Sequence, residues 1–275
     1  MPVIDFHIHP IYYEKYCKTA EDFVTSFHGK NLSLLVEKYG KPSGFARYLS
    51  KCGVDYGVIL AELSPVTTGI CTNEYVNEFC RDQECLIPFA HINPYLVSDG
   101  SSELERLVKE QGFRGLKMYP TYNYFYPNEP LVYPIYAKAE ELGIPILFHT
   151  GSSVFKGARI KYGDPQYFDD VAIDFPNLNL LMAHSGRGYW YDKAFFLSHL
   201  HNNLYMEVSG LPPQKLLDYF PDLERNADKV IFGSDWPTVN SIRHNIETLR
   251  GLPLKEETKE KILGGNAARL LKIRV

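Results

Sequence analysis

The sequence predicts an α/β chain closed into a (β/α)8 barrel, with a short cap inserted after the first strand. Three observations carry that prediction. Eight short apolar runs recur along the 275 residues, their starts lie 25 to 34 residues apart after the first interval, and helical patterns fill the gaps. One parallel strand with its returning helix takes about 30 residues, and eight such units over about 250 residues make a barrel. The runs are apolar nearly throughout rather than alternating, as strands become when helices cover the sheet.

The first run, PVIDFHIH at 2–9, carries Asp5, His7 and His9 at alternate positions. Strand alternation predicts that these three share one face while Ile4, Phe6 and Ile8 take the other. The second run begins only at residue 56, so the 54-residue first interval marks an insertion. Residues 10–55, with Tyr12, Tyr13, His28 and a Gly/Pro break at 40–44, are read as the cap of one domain spanning 1–275. Runs two to four occupy 56–62, 86–93 and 113–119, with Glu62 near the end of the second. Residues 101–111 open on serines suited to N-capping and place Leu104, Leu107 and Val108 at helical spacing.

Run four leads into YPTYNYFYPNEPLVYP at 119–134, which gathers Tyr119, Tyr122, Tyr124, Phe125 and Tyr126 among prolines. Aromatic, proline-stiffened walls suit a planar or ring-shaped substrate, although a buried structural loop or an oligomer contact has the same composition. A helix over 132–142 stops at Gly143. Runs five (144–149) and six (178–184) end in His149 and His184, and Arg187 and Trp190 follow the latter. Runs seven (203–209) and eight (229–235) carry Glu207 and end in Asp235, and residues 256–272 form an amphipathic end-piece broken at Gly264 and Gly265.

Barrel enzymes build their sites at the C-terminal ends of the strands. His7, His9, His149, His184 and Asp235 therefore converge on one mouth. An H-x-H pair alone means little; imidazoles and a carboxylate arriving from four strand ends suit Zn²⁺ or a similar divalent ion. The competing reading makes His149 and His184 satisfied core histidines and His7/His9 a chance pair.

A formal charge of −4 without basic runs argues against nucleic acid. No stretch approaches 18 uninterrupted apolar residues, so no membrane span is expected, and MPVIDFHIHP lacks the pattern of a signal peptide. Five cysteines fit no zinc-ribbon spacing and read as reduced thiols of a cytoplasmic protein.

The segments DFHIHP, GFRGLKMYP, ILFHTG, LMAHSG, IFGSDWP and GGNAARLL, in that order from residue 3 to about 272, resemble the amidohydrolase superfamily. The resemblance is to its amidohydrolase-related (amidohydrolase 2) branch, which holds aminocarboxymuconate semialdehyde decarboxylase, resorcylate-type decarboxylases and dicarboxylate lactonases. It implies one divalent metal, most simply Zn²⁺, on His7, His9, His149 and Asp235. His184 is then the unliganded catalytic histidine beside a metal-bound water whose proton Asp235 shares. Lys117 reads as a hydrogen-bond or charge donor in the site rather than a metal-bridging carbamate. Tyr119, Arg187 and Trp190 join it as substrate contacts, with a loop-fixing salt bridge the alternative for Arg187 and simple packing for Trp190. Relatives pair through barrel helices, which suggests a homodimer.

Decarboxylases of the branch tend to have longer chains and caps, so the expected function is a metal-dependent hydrolase. Its substrate would be a small carboxylate-bearing lactone, ester or amide, attacked by metal-activated water. Non-oxidative decarboxylation of an aromatic or enoic acid at the same ligands is the alternative. A catalytically silent metabolite-binding barrel is the third reading, and it predicts degenerate ligands where none is missing.

Overall fold

A computed structural model describes residues 1–11, 15–29 and 32–274; Tyr12 and Tyr13 of the expected cap lie outside them. All eight expected strands form: β1 (Ile4–Ile8), β2 (Tyr56–Leu60), β5 (Leu86–His91), β6 (Gly115–Met118), β7 (Ile146–His149), β8 (Leu180–Ala183), β9 (Leu204–Glu207) and β10 (Val230–Ile231). They pair in parallel in that order. At the seam, Phe6 N donates to Phe232 O at 3.1 Å and His9 N to Trp236 O at 2.8 Å, which joins the last strand back to the first. The remaining pair, β3 (Glu62–Ser64) and β4 (Gly69–Cys71), is an antiparallel hairpin on the rim. Three-residue strands leave no periodic trace, so the sequence does not reveal it.

Two apolar layers hold the barrel. The inner one packs Ile4, Phe6, Val58, Leu60, Phe89, Leu147 and Leu181 inside the strands, and the outer one packs the opposite strand faces against the helices. Here the simple alternation expected of the first strand fails. Ile4 and Phe6 point inward, whereas Ile8 belongs to the outer layer. An irregularity in the β1–β2 register between Asp5 and Ile8 supplies the switch, since a bulge turns consecutive side chains to the same face. Asp5 accordingly does not share the face of His7 and His9.

Three helices separate β1 from β2: α1 (Lys18–His28), α2 (Leu32–Tyr39) and α3 (Pro42–Cys52). The last buries Phe45, Leu49 and Cys52 in the outer layer and so serves as a barrel helix. Of the described helices of the cap, α1 lines the mouth. The expected helix at 101–111 is present at Gly100–Gln111, but its cap is Asp99, whose carboxylate accepts from Ser102 N at 3.0 Å. Residues 256–272 form two short helices flanking a π-helical turn at Lys261–Gly265. A side chain on Gly264 would run into the Pro2 carbonyl, so glycine lets this end-piece close the bottom of the barrel against β1. Among the described residues no helix is long and apolar enough to cross a membrane.

Candidate active site

The bulge in β1 is what brings two histidines to the mouth. Asp5 Oδ1 accepts from His7 N at 3.2 Å and from Ser234 N at 2.8 Å, so a buried carboxylate pins the bulge to the chain leaving β10. Burial raises its carboxyl to about 7. Beyond the bulge, His7 and His9 both face the cavity.

His7, His9 and Asp235 place one ligand atom each within 4.8 Å of one another. His7 Nδ1 donates to Glu207 Oε2 at 3.0 Å, and Ser209 Oγ lies 2.8 Å from the same nitrogen. With Nδ1 turned to these oxygens, Nε2 is the ring nitrogen on the metal side, 3.4 Å from Asp235 Oδ1. His9 repeats the pattern, with Nδ1 3.7 Å from Glu62 Oε2 and Nε2 3.6 Å from Asp235 Oδ1. Neither imidazole nitrogen is hydrogen-bonded to Asp235 Oδ1, and a shared divalent cation would satisfy all three atoms. Burial holds both imidazoles well below their ordinary range, His9 at about 3, so they are neutral and free to ligate.

Three of the four expected ligands are thus brought together. His149 lines the same cavity but stands outside that tight set, its ring 4.7 Å from that of His184. Its Nε2 is buried without a hydrogen-bond partner. An orphaned imidazole nitrogen on the wall of a metal-shaped cluster argues against a satisfied core histidine.

His184 donates from Nδ1 to Ser209 O at 2.9 Å, which leaves Nε2 as the acceptor; burial and then the Arg187 charge keep the ring neutral. His184, Ser185 and Asp235 all have left-handed backbone, with φ of 62°, 46° and 65°. Such angles cost about 1–3 kcal/mol in a non-glycine residue and cluster where function holds them. Arg187 is half-buried and donates from Nε and Nη2 to Ser152 O at 3.3 and 2.9 Å, fixing the loop through a carbonyl rather than a salt bridge.

The cavity above this floor has a volume of about 300 Å³. Tyr119 and Tyr122 line it, stacked with centroids 5.7 Å apart, as expected of the aromatic segment. Tyr124 and Tyr126 instead join Tyr162 and Tyr167 outside it, and Phe125 is buried in the outer core. Two expected substrate contacts do not line the cavity. Lys117 sits one inward position below Tyr119, fully buried, with Nζ lacking a hydrogen-bond partner and 5.1 Å from the Tyr119 ring. Burial lowers its ammonium to about 8, against the pull of the Glu207 carboxylate. Trp190 occupies the N-cap of the helix Tyr191–Leu200 and meets Tyr189, so it packs beside the loop rather than walling the pocket.

Glu207 is the residue whose importance the sequence understates. Fully buried, it accepts from His7 Nδ1, Ser209 N and Ser209 Oγ, and burial raises its carboxyl to about 8. Glu207 and Ser209 lie two apart in the seventh run, so alternation puts both on the face of the mouth, which is the signal that finds them. Glu207→Gln is expected to weaken divalent-ion affinity about 10- to 100-fold, measured by competition with a chelator; unchanged affinity would remove Glu207 from this role.

Gly210 is equally informative. With φ at 64°, its missing Cβ would lie 2.9 Å from both Arg187 Nη1 and Asp235 Oδ2 and 3.2 Å from His184 Nδ1. Glycine lets Arg187, Asp235 and His184 close around this backbone, where any side chain would push them apart. Gly210→Ala is expected to lower kcat/KM about 100-fold, the cost of a displacement near 1 Å among reacting groups. A variant that folds and keeps full kcat/KM would show that the close approach of these three groups does not matter to the reaction.

Fold and site together define a (β/α)8 barrel with a cluster of metal-ligating side chain types at its strand ends. The Amidohydro_2 family model, described as amidohydrolase, matches residues 4–273, and the chain belongs to that family. It is similar to the gamma-resorcylate decarboxylase of a Rhizobium species, with 25% identity over 247 residues, 73% of this chain and 75% of the relative. An uncharacterized TIM-barrel protein from Bordetella bronchiseptica superposes with a TM-score of 0.80 at 22% identity, over 99% of both chains. A dihydroxybenzoic acid decarboxylase from Polaromonas, solved with manganese and 2-nitroresorcinol, superposes with a TM-score of 0.72 at 22% identity, over 100% of this chain and 98% of the other.

The named enzymes among these relatives correct the hydrolase expectation, since they are decarboxylases of aromatic acids. The argument from chain length misleads because the donors sit on the strand ends, and the length of the cap does not change them. A lighter cap leaves the chemistry of the mouth unspecified.

Proposed function

We propose that the protein catalyses the non-oxidative decarboxylation of a small aromatic acid, with one divalent metal ion bound by His7, His9 and Asp235 and completed by His149. The observation that carries this reading is the cavity, which joins that donor cluster to a ring-lined wall in a volume suited to a single-ring compound. The relatives' names favour loss of CO₂ over hydrolysis.

A divalent ion there supplies positive charge to the substrate's oxygens and withdraws electron density from the ring. Arg187 lines the cavity with Nη1 beside Gly210 and pairs with the substrate carboxylate. Asp235 turns Oδ1 to the two histidines and, from the wall of the cavity, its other oxygen hands a proton to the ring carbon that loses CO₂. His184, held by Ser209 O through Nδ1, uses Nε2 to return a proton from water. The reaction balances as carboxylate plus one proton giving the arene and CO₂. Tyr119 and Tyr122 keep the ring flat and the water out.

Three imidazoles and a carboxylate accept Zn²⁺ or Mn²⁺. The ligand chemistry suggests zinc and the Polaromonas relative contains manganese, and reconstitution of the metal-free protein with each ion identifies the active one. The test of function is a panel of ortho-hydroxybenzoic acids, aryl esters and lactones given to that reconstituted enzyme. CO₂ release from the acids alone supports the proposal; turnover of an ester or lactone without CO₂ from any acid overturns it.

A further inference from the structure

The cavity has two chemically different sides. Strand ends and the loops around them supply its polar groups, Tyr16 and Thr68 included, whereas Ala20, Phe23, Val24 and Phe27 of α1, with Val154 and Phe155 of the loop after β7, form an apolar side. The four α1 positions recur at i, i+3, i+4 and i+7, one face of a helix, and that face is turned to the cavity. Ring contacts link it to the donors. Phe23 meets Phe155 edge-on at 5.4 Å, Phe155 meets Tyr122 at 6.2 Å, and Tyr122 lies 4.7 Å from His149. The Tyr122 hydroxyl is already engaged with Ser153 Oγ at 3.0 Å, and Thr68 Oγ1 donates to Glu62.

The helix is tied down at both ends, so its face is a fixed wall. Cys17 N donates to Thr68 O at 2.9 Å and Thr19 Oγ1 to Thr67 O at 3.1 Å, while His28 Nε2 bonds Pro237 O at 2.6 Å. His28 is therefore a tether of the cap rather than a polar contact for substrate.

We infer that the α1 face sets substrate specificity: it selects aromatic acids whose ring edge opposite the carboxylate carries hydrogen or a small alkyl group, and rejects those with a polar substituent there. The inference rests on the decarboxylase reading for the direction in which the ring enters. With the carboxylate held at Arg187 beside the donors, the opposite edge meets the cap. A hydroxyl on that edge gives up its hydrogen bonds to water and finds none among these six side chains. Discrimination of this kind by an apolar wall is worth about 10- to 100-fold.

The test compares 4-methyl-2-hydroxybenzoate with 2,4-dihydroxybenzoate on the metal-loaded enzyme, reading kcat/KM for CO₂ release and Kd by calorimetry. Kd is needed because a ring hydroxyl also alters the chemical step. The methyl acid is expected to bind about 10- to 100-fold more tightly, and Val24→Thr should bring the two affinities closer. Phe27→Tyr, at a half-buried position, makes the same test if the threonine variant does not fold. Tighter binding of the methyl acid without CO₂ release would sustain the specificity and sink the decarboxylase reading. Equal affinities, tighter binding of the dihydroxy acid, or a ratio untouched by both variants would overturn the inference.

Discussion

Asp235→Asn is expected to abolish turnover, with kcat/KM falling about 1,000-fold or more, and to release the divalent ion. Asp235 is the one carboxylate in the donor set, and its Oδ1 lies 3.4 Å from His7 Nε2 and 3.6 Å from His9 Nε2. An amide in its place keeps the shape but loses the negative charge that draws a cation between two neutral imidazoles. It also loses the proton that Oδ2 delivers, and general acid–base groups contribute about 10²- to 10⁴-fold by themselves. Metal content by elemental analysis and kcat/KM should therefore fall together. An asparagine variant that keeps both ion and rate would show that the cluster is an ordinary buried polar network.

His184→Asn separates the two roles. This residue sits next to the donor cluster, with its ring 5.1 Å from that of His7, yet outside the set of three. The variant is expected to retain stoichiometric metal while kcat drops about 10²- to 10⁴-fold. A structural role would instead lower stability and leave the rate of the folded fraction intact, so thermal midpoint and kcat are measured on the same preparation. Loss of the ion would make His184 a ligand, and full turnover would remove it from the chemistry.

The barrel is legible because helices cover its strands on the outside and packed side chains fill it, leaving eight plainly apolar runs. Strand-end placement is legible for the same reason, and it finds His7, His9, His149, His184 and Asp235 without a structure. Alternation fails within the first strand because a bulge obeys hydrogen bonds from Ser234 N and His7 N to Asp5 that lie beyond the reach of periodicity. The α1 face is written in the sequence as Ala20, Phe23, Val24 and Phe27, but the same spacing marks any helix packed on a core. What it covers depends on the tethers at Thr67, Thr68 and Pro237. Trp190 misleads because nearness to His184 in sequence says nothing about which way a loop turns. Reaction class is the least legible property, since hydrolysis and decarboxylation make the same demands on the ligands and differ in what substrate presents to them.

The most direct test of the account runs the metal-loaded enzyme on an ortho-hydroxybenzoic acid in water labelled with both deuterium and oxygen-18. Decarboxylation predicts one deuterium on the ring carbon that bore the carboxylate, no oxygen-18 in the ring product, and one CO₂ per product molecule. A ring product that retains its carboxyl carbon, or one that carries oxygen-18 from the solvent, would contradict it.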